Sequence, residues 1–146
     1  MHELTYTSIA ERNINTKDLN DILDKATEFN KMHSLTGCLV YHNGQFVQTL
    51  HGDKKTIFGL FEKIKLDSRH TNVNLVWEGP AEKEVFQGWH MAYYSPDNSL
   101  NNDEGIIEFE RNLVTLASFY KADSASVRIF WTIVKDLCMD EASPTV

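Results

Sequence analysis

The sequence has few cysteines, no long apolar run and no basic leader, and each absence excludes a class of protein. Its two cysteines, Cys38 and Cys138, are far apart, and neither lies in a CxxC motif. That usage favours buried free thiols in a reducing compartment over a disulfide framework. No apolar stretch approaches the roughly 18 residues of a membrane span, and no basic segment precedes an apolar core at the N-terminus. We therefore expect a cytoplasmic protein with neither a signal peptide nor a membrane anchor.

Basic residues and clustered metal ligands are also scarce. The chain has 14 lysines and arginines against 21 aspartates and glutamates, a formal net charge of -7, whereas a nucleic-acid-binding face is usually basic. The six histidines form no HxH or HxxxH pair and no cluster with cysteine, so no zinc site is predicted. Walker, GxGxxG and GxSxG motifs are absent as well. The sequence therefore predicts no metal site, no nucleic-acid surface and none of the familiar enzyme types.

The chain does have enough apolar material for one folded domain. Its 146 residues are 42% hydrophobic and 24% charged, which is ordinary for a soluble globular protein. The most informative stretch is Thr36 to Gly52, two runs of β-forming residues joined at Asn43-Gly44. Asn-Gly between such runs predicts a β-hairpin, because a type I′ turn needs positive φ at both central residues.

The predicted hairpin places one amide on a buried face. If Asn43 and Gly44 are the loop residues, Leu39 pairs with Gln48. Period-2 alternation then puts five side chains on one face: Leu39, Tyr41, Phe46, Gln48 and Leu50. An amide among apolar neighbours costs about 1–3 kcal/mol if it stays unpaired. We therefore expect Gln48 to have a hydrogen-bonding partner.

Periodicity predicts the remaining elements of the first 94 residues. Helices with apolar stripes are expected from Thr16, as N-cap, to Met32, and from Lys54, capped by Asp53, to Leu66. Further strands are expected at Glu3–Ile9, at a segment with Val73, Leu75 and Trp77 on one face, and at Phe86–Tyr94. The order β-α-β-β-α-β-β predicts an α+β fold, a ferredoxin-like sandwich with both helices on one face of the sheet. The other face would be bare.

The C-terminal third predicts two extra helices beyond that domain. A segment rich in turn residues, SPDNSLNNDEG, separates a domain of residues 1–96 from an extension of residues 97–146. The extension has one helical stripe from Ile106 to Tyr120 and another helix at about Ser126–Cys138. The apolar surface of the second helix is broad, so we expect it to pack on the bare sheet face, on another subunit or partner, or on both.

The polar and aromatic residues of these elements form a pattern that resembles a known family. The matching pieces are YTS at residues 6–8, Asn30, the hairpin LTGCLVYHNGQFVQTLHG, DSRHTNV at residues 67–73 and FQGWHM at residues 86–91. In this order and spacing they resemble the BLUF family, blue-light sensors that use flavin. The resemblance covers about the first 94 residues and implies an FAD cofactor, with FMN or riboflavin possible in its place.

The resemblance also implies roles for individual residues. Gln48 would bridge the phenol of Tyr6 and the flavin, and Asn30 would donate its amide to the ring carbonyl region. Arg69 would lie near the C2 carbonyl or the cofactor phosphates, supported by Asp67 and His70. Leu23 and Ile64 would be apolar walls on the two helices. Light would move an electron and a proton from Tyr6 toward the flavin, after which Gln48 would change its hydrogen bonds.

The implied output is a switch and not a reaction product. The changed hydrogen bonds would be felt by Trp89 and Met91 on the last strand and relayed to the C-terminal helices. No catalytic domain follows in the sequence, so we expect a non-enzymatic sensor. It would form a homo-oligomer and act on a separate, unidentified signalling protein.

Two positions depart from the family pattern, and two other interpretations stay open. His51 stands where the family usually has an acidic residue, and an arginine common just before Phe86 is missing; both put the output surface in doubt.

One alternative is a non-photoactive ferredoxin-like regulatory domain, in which Tyr6 and Gln48 merely pair with each other. An acylphosphatase-like enzyme would use Arg12 in an anion-binding loop, but that loop lacks the glycines that cradle phosphate.

Overall fold

The computed structural model describes residues 1–81, 92–94 and 125–139 of the chain. The strands are β1 (His2–Ala10), β2 (Thr36–His42), β3 (Gln45–Gly52), β4 (His70–Pro80) and β5 (Ala92–Tyr94), and the helices are α1 (Thr16–Met32), α2 (Lys54–Leu66) and α3 (Ala125–Met139). The predicted elements are therefore present within this part of the chain, although residues 86–91 of the predicted strand Phe86–Tyr94 lie outside it. The predicted helix from Ile106 to Tyr120 lies outside the described residues.

The strands form one sheet in the order β4-β1-β3-β2-β5. β1 pairs antiparallel with both β3 and β4, and β2 pairs antiparallel with β3. β5 lies parallel to β2, with Leu39 opposite Tyr93. The four antiparallel strands and the order β-α-β-β-α-β confirm the predicted ferredoxin-like α+β fold. The β2-β3 hairpin therefore lies near the centre of the sheet, between β1 and β5.

The hairpin has the predicted turn and register. Asn43 and Gly44 have φ of 51° and 77°, the left-handed pair that a type I′ turn requires. Leu39 faces Gln48 and His42 faces Gln45. Because a slip of one residue would turn every side chain to the opposite face, this register is what places the Gln48 amide inside.

The start of α1 differs from the prediction by one residue. The N-cap is Asn15 and not Thr16: the Asn15 side chain accepts from the Asp18 backbone N–H at 2.9 Å, and the Asp18 carboxylate accepts from the Asn15 N–H at 3.3 Å. This reciprocal capping box satisfies two N–H groups, whereas a threonine cap would satisfy one. The cap of α2 is Asp53, as predicted.

The predicted face of β4 is wrong at its second half. Leu75 lies opposite Tyr6 but Trp77 lies opposite Thr5, with a register shift between these pairs. Since paired residues project to the same side and Tyr6 and Thr5 alternate, Leu75 and Trp77 do not share a face. A bulge of this kind leaves no periodicity signal in the sequence.

Two apolar clusters lie between the sheet and the helices α1 and α2. One is built around Leu4, Tyr6, Leu50 and Phe61, and the other around Leu19, Leu39 and Phe46. The opposite sheet face is covered by α3, which buries Val127, Phe130 and Val134. Cys38 is a buried free thiol on that second face, and burial raises its pKa well above the usual range. Among the described residues no helix is both long and apolar enough to cross a membrane.

Candidate functional site

A cleft of about 230 Å³ lies between the sheet and the two helices α1 and α2. Its apolar walls come from both helices and from β2: Ile22, Ala26, Phe29, Leu39, Leu60 and Ile64. Several of these helix positions are only half-buried although they belong to the apolar stripes. Apolar stripes that face each other without closing over one another leave room for a flat apolar ligand.

The floor of the cleft carries a buried tyrosine and a buried glutamine. Tyr6 on β1 and Gln48 on β3 are direct cross-strand partners, and they are 1% and 3% exposed. The Tyr6 hydroxyl donates a short hydrogen bond to Oε1 of Gln48. The Tyr6 ring packs against the Phe61 ring, with centroids 5.5 Å apart. The partner predicted for the Gln48 amide is therefore present, and it is the phenol of Tyr6.

The phenol of Tyr6 is held in its neutral form. Burial raises its pKa far above the ordinary value of 10.0, and the nearby charge of Asp67 raises it further. A phenol that keeps its proton must act as the donor to a carbonyl oxygen. In this structure the carbonyl end of the amide therefore faces Tyr6 and accepts the hydrogen bond.

Arg69 is held rigidly at the rim of the cleft by two carboxylates. Its Nη2 and Nε lie 2.7 and 3.0 Å from the two carboxylate oxygens of Asp67, and its Nη1 lies 2.8 Å from Asp21. These hydrogen bonds lower the pKa of Asp67 and raise that of Arg69. A forked guanidinium fixed in this way presents a charge of defined geometry to whatever the cleft binds.

His70 closes one end of the cleft beside Ser8. Its Nδ1 lies 2.8 Å from the Ser8 hydroxyl, and its ring contacts Phe46 with centroids 4.7 Å apart. Burial lowers the pKa of His70 below 6.5, and the Arg69 charge lowers it further against the opposing effect of Asp67. The imidazole is therefore neutral at neutral pH.

Two lysines line the cleft that sequence reasoning did not single out. Lys25 lies on α1 and Lys63 on α2, where its Nζ is 5.2 Å from the centroid of the Phe29 ring. With Arg69 they make three cations against the one carboxylate of Asp67 in the lining, although the chain carries a net charge of -7. The signal that could have identified Lys25 is its spacing from the apolar stripe. It lies three residues beyond Ile22, so the two side chains are neighbours on the helix surface.

Of the three other predicted cofactor-binding residues, one lines the cleft and two do not. Ile64 lines the cleft, but the lining includes Ile22 and not its neighbour Leu23. Asn30 is fully buried at the end of α1 and does not line the cleft either. The contacts of Leu23 and Asn30 with a cofactor stay predictions. Trp89 and Met91 lie outside the described residues.

The residues of the cleft fit a flavin dinucleotide. The volume is somewhat below the range of about 300–1,000 Å³ typical of small-molecule pockets, which suits a flat ring system inside and a longer tail reaching toward solvent. The walls are apolar, the floor offers an amide and a phenol, and exposed Lys25 and Lys63 with Arg69 supply positive charge for phosphate groups. The ring system and the phosphates of FAD would therefore meet side chains of matching chemistry.

Comparison with known proteins gives the same assignment. Residues 1–92 match the BLUF family, described as sensors of blue light using FAD. The chain is 42% identical over 83 residues to the photoactivated adenylate cyclase subunit beta of Euglena gracilis, and 43% identical over 83 residues to that of Euglena longa. Each match covers 57% of this chain but 10% of the relative. The chain thus corresponds to about a tenth of the length of these relatives.

Solved structures with the same fold are more similar in length. The ground state of BlsA superposes with a TM-score of 0.65 at 26% identity, over 93% of this chain and 86% of that one. The dark state of BlrB, a BLUF protein, superposes with a TM-score of 0.64 at 25% identity, over 77% of this chain and 93% of that one. The sequence match over residues 1–92, the fold and the paired tyrosine and glutamine agree: this chain belongs to the BLUF family of blue-light sensors that use FAD.

Proposed function

We propose that the element that senses light is the buried hydrogen bond between Tyr6 and Gln48, and that its rearrangement is the signal. The observation that carries this proposal is the position of the bond. The bond joins two neighbouring central strands and lies on the floor of the cleft, with the Tyr6 phenol as donor and the Gln48 amide oxygen as acceptor. Bound FAD supplies the absorption of blue light and, once excited, a strong oxidant.

The amide of Gln48 is suited to a switch between two hydrogen-bonding states. Its two ends have nearly the same shape, but one is an acceptor and the other donates twice. With Oε1 toward Tyr6, the amide nitrogen is directed elsewhere. A turn of the amide would bring N–H groups toward the phenol oxygen and reverse the polarity of the bond without moving bulk. The state of the pair can therefore change inside a packed sheet.

Tyr6 is the residue that responds first in this proposal. Its phenol is the oxidisable side chain on the floor of the cleft, and its proton lies on the bond to Gln48. The electron would pass to the excited flavin, which is the oxidant. Loss of that electron makes the proton of a buried phenol strongly acidic, and the proton would leave along the hydrogen bond to Gln48 toward the flavin. Asn30 and Leu23 on α1 would position the cofactor, and Trp89 and Met91 would sense the changed bond.

The output passes to a partner in this proposal. The matched region is a sensor domain, and the cyclase activity named in the Euglena relatives is not carried over, because the match covers a tenth of them. We place any catalysis on a separate protein and expect the chain to be cytoplasmic and to form a homo-oligomer. Residues 97–146 would be the extension that contacts the sheet, a second subunit or that partner.

The test is the absorption spectrum of the purified, flavin-loaded chain in the dark and under blue light. We expect a reversible red shift of the flavin bands in the natural sequence. Gln48→Ala should keep the flavin but lose the shift, while Gln45→Ala, which removes an exposed amide three residues away on β3, should keep both.

Asn30→Ala should mainly weaken or reposition the cofactor. A normal red shift in Gln48→Ala would contradict the proposal. A colourless protein that cannot be loaded with flavin would instead support the non-photoactive regulatory domain.

A further inference from the structure

A second set of buried polar groups lies on the opposite face of the same strands. Thr5 on β1, Thr49 on β3 and Ser126 on α3 form a group that we call the hydroxyl cluster. Glu3 and His51 lie next to it. All five side chains are 2% exposed or less. Nothing in the proposed sensing step uses them, although burying this many polar groups is costly unless each is satisfied.

The hydroxyl cluster joins the first turn of α3 to the centre of the sheet. The Thr5 hydroxyl lies 2.5 Å from the Ser126 hydroxyl and donates to the Ser126 carbonyl oxygen at 3.1 Å. The Thr49 hydroxyl lies 3.2 Å from the Ser126 hydroxyl and donates to the Leu4 carbonyl oxygen at 3.3 Å. One serine of the helix is thus held by both central strands at once.

A buried carboxylate and imidazole support the same helix end. Oε2 of Glu3 lies 2.8 Å from Nε2 of His51, while Oε1 accepts from the Ser126 backbone N–H at 3.4 Å. A carboxylate at the first turn of a helix interacts favourably with the helix dipole. His51 is the residue that stands where the family pattern has an acid, so this chain has a hydrogen-bonding partner for Glu3 where a second carboxyl group would otherwise be.

The hydroxyl cluster is directly adjacent to the light-sensing pair. Thr5 and Thr49 are cross-strand partners, and the next partners along the two strands are Tyr6 and Gln48. Successive residues of a strand project to opposite faces, so the two pairs share backbone but face different compartments. A change in the Tyr6–Gln48 bond that shifts either strand would be passed to Thr5 or Thr49, because each is joined to its neighbour by a planar peptide.

We propose that Thr5, Thr49 and Ser126 are positioning residues that transmit the state of the Tyr6–Gln48 pair through the sheet to the first turn of α3. This inference rests on the proposed function, and it gives the signal a route of one residue across the sheet. Ser126, His51 and Glu3 are also the residue types of a hydrolytic triad. However, the Ser126 hydroxyl bonds to the two threonines, and its complete burial leaves a substrate no access.

The experiment compares light and dark amide hydrogen exchange of residues 125–139 in the full, flavin-loaded chain, with the absorption shift recorded on the same samples. We expect blue light to change the exchange rates at the start of α3 in the natural sequence. Thr49→Val keeps the side-chain shape and removes the hydroxyl, so it should keep the red shift and lose the light-dependent change in α3. Thr5→Val should do the same, and Thr49→Ser should restore the response.

The matched control is Thr132→Val, at an exposed hydroxyl of α3 that bonds within the helix to the Arg128 carbonyl oxygen; it should behave like the natural sequence. A light-dependent change in α3 that persists in both Thr49→Val and Thr5→Val would overturn the inference, as would a red shift in the natural sequence with no change in α3. Absence of the red shift itself would refute the proposed function, and this inference with it. The spectrum and the exchange data therefore separate the two failures.

Discussion

The two faces of the central strands are built in opposite ways. On one face Tyr6 and Gln48 lie under two helices that stand apart and leave a cleft of about 230 Å³. On the other face Thr5 and Thr49, one residue away on the same strands, are sealed beneath α3 by bonds to Ser126. The first face has room for a ligand, whereas on the second the hydroxyls of Thr5 and Thr49 bond to Ser126.

In our proposal the two faces of one sheet separate sensing from response. The cleft side would tolerate a change of hydrogen bonds because its pair has an amide with two interchangeable ends. The α3 side uses hydroxyls and a carboxylate–imidazole pair, and a buried polar group that loses its partner is destabilising. A shift of the strands on the first face would therefore change hydrogen bonds on the second.

The largest effect on stability is expected from breaking the buried pair on the α3 side. Glu3→Ala removes the buried carboxyl group that bonds to His51 and to the Ser126 N–H. Removing one partner of a buried polar pair costs about 1–3 kcal/mol in the free energy of unfolding for each group left unsatisfied. Glu78 pairs with His2 but is 40% exposed, so Glu78→Ala should cost no more than about 1 kcal/mol. Chemical denaturation of both variants measures the difference. Equal losses would show that the sealed face depends no more on its Glu3–His51 pair than the protein surface depends on a pair of the same residue types.

A smaller effect, on ligand binding, is expected from filling the open face. Ala26 lines the cleft, and Ala26→Phe would place a ring where the cofactor is expected. Overpacking of about 1–3 kcal/mol corresponds to a loss of flavin affinity of roughly 5-fold to 150-fold, without a matching loss in the stability of the flavin-free chain. Asn20→Phe, on the exposed side of α1, is the control. Unchanged flavin affinity in Ala26→Phe would mean that the cleft is not the flavin site.

Much of this contrast could be predicted from the sequence, because it depends on local patterns. Asn43-Gly44 determines the register, and the register puts Gln48 inside beside Tyr6. The resemblance to BLUF sensors then supplied the ligand. Ile64 is on the apolar stripe of α2, and Arg69 and His70 follow that helix closely, so all three line the cleft.

The rest depends on tertiary packing, which leaves little trace in a single sequence. The bulge that separates Leu75 from Trp77 has no periodic signal. Asn15 and Thr16 are both residue types that cap helices, and the capping box with Asp18 favours Asn15. His51 was interpreted as a departure from a motif, and only the position of Glu3 reveals that it has a partner. The contact of Ser126 with Thr5 joins residues at opposite ends of the chain, so no local pattern could indicate it.

The smallest expected effect is a pH dependence on the cleft side. Because the pKa of His70 is lowered in the folded protein, the unfolded chain binds more protons as the pH falls below about 6.5. The free energy of unfolding should therefore decline on acidification through that range and be fully present above it. In His70→Gln this part of the decline should disappear, while His33→Gln, at the exposed end of α1, should retain it. A decline of the same size in His70→Gln would assign it to another group.

The most direct test of the central claim is the light-minus-dark absorption spectrum of Tyr6→Phe. This change keeps the ring that packs on Phe61 and removes the hydroxyl that donates to Gln48. Tyr41→Phe is the matched control, since Tyr41, on β2, lies on the same face of the sheet as Tyr6 and packs on Phe46. We predict that Tyr6→Phe binds flavin but shows no red shift, and that Tyr41→Phe behaves like the natural sequence. A normal, reversible red shift in Tyr6→Phe would contradict the account.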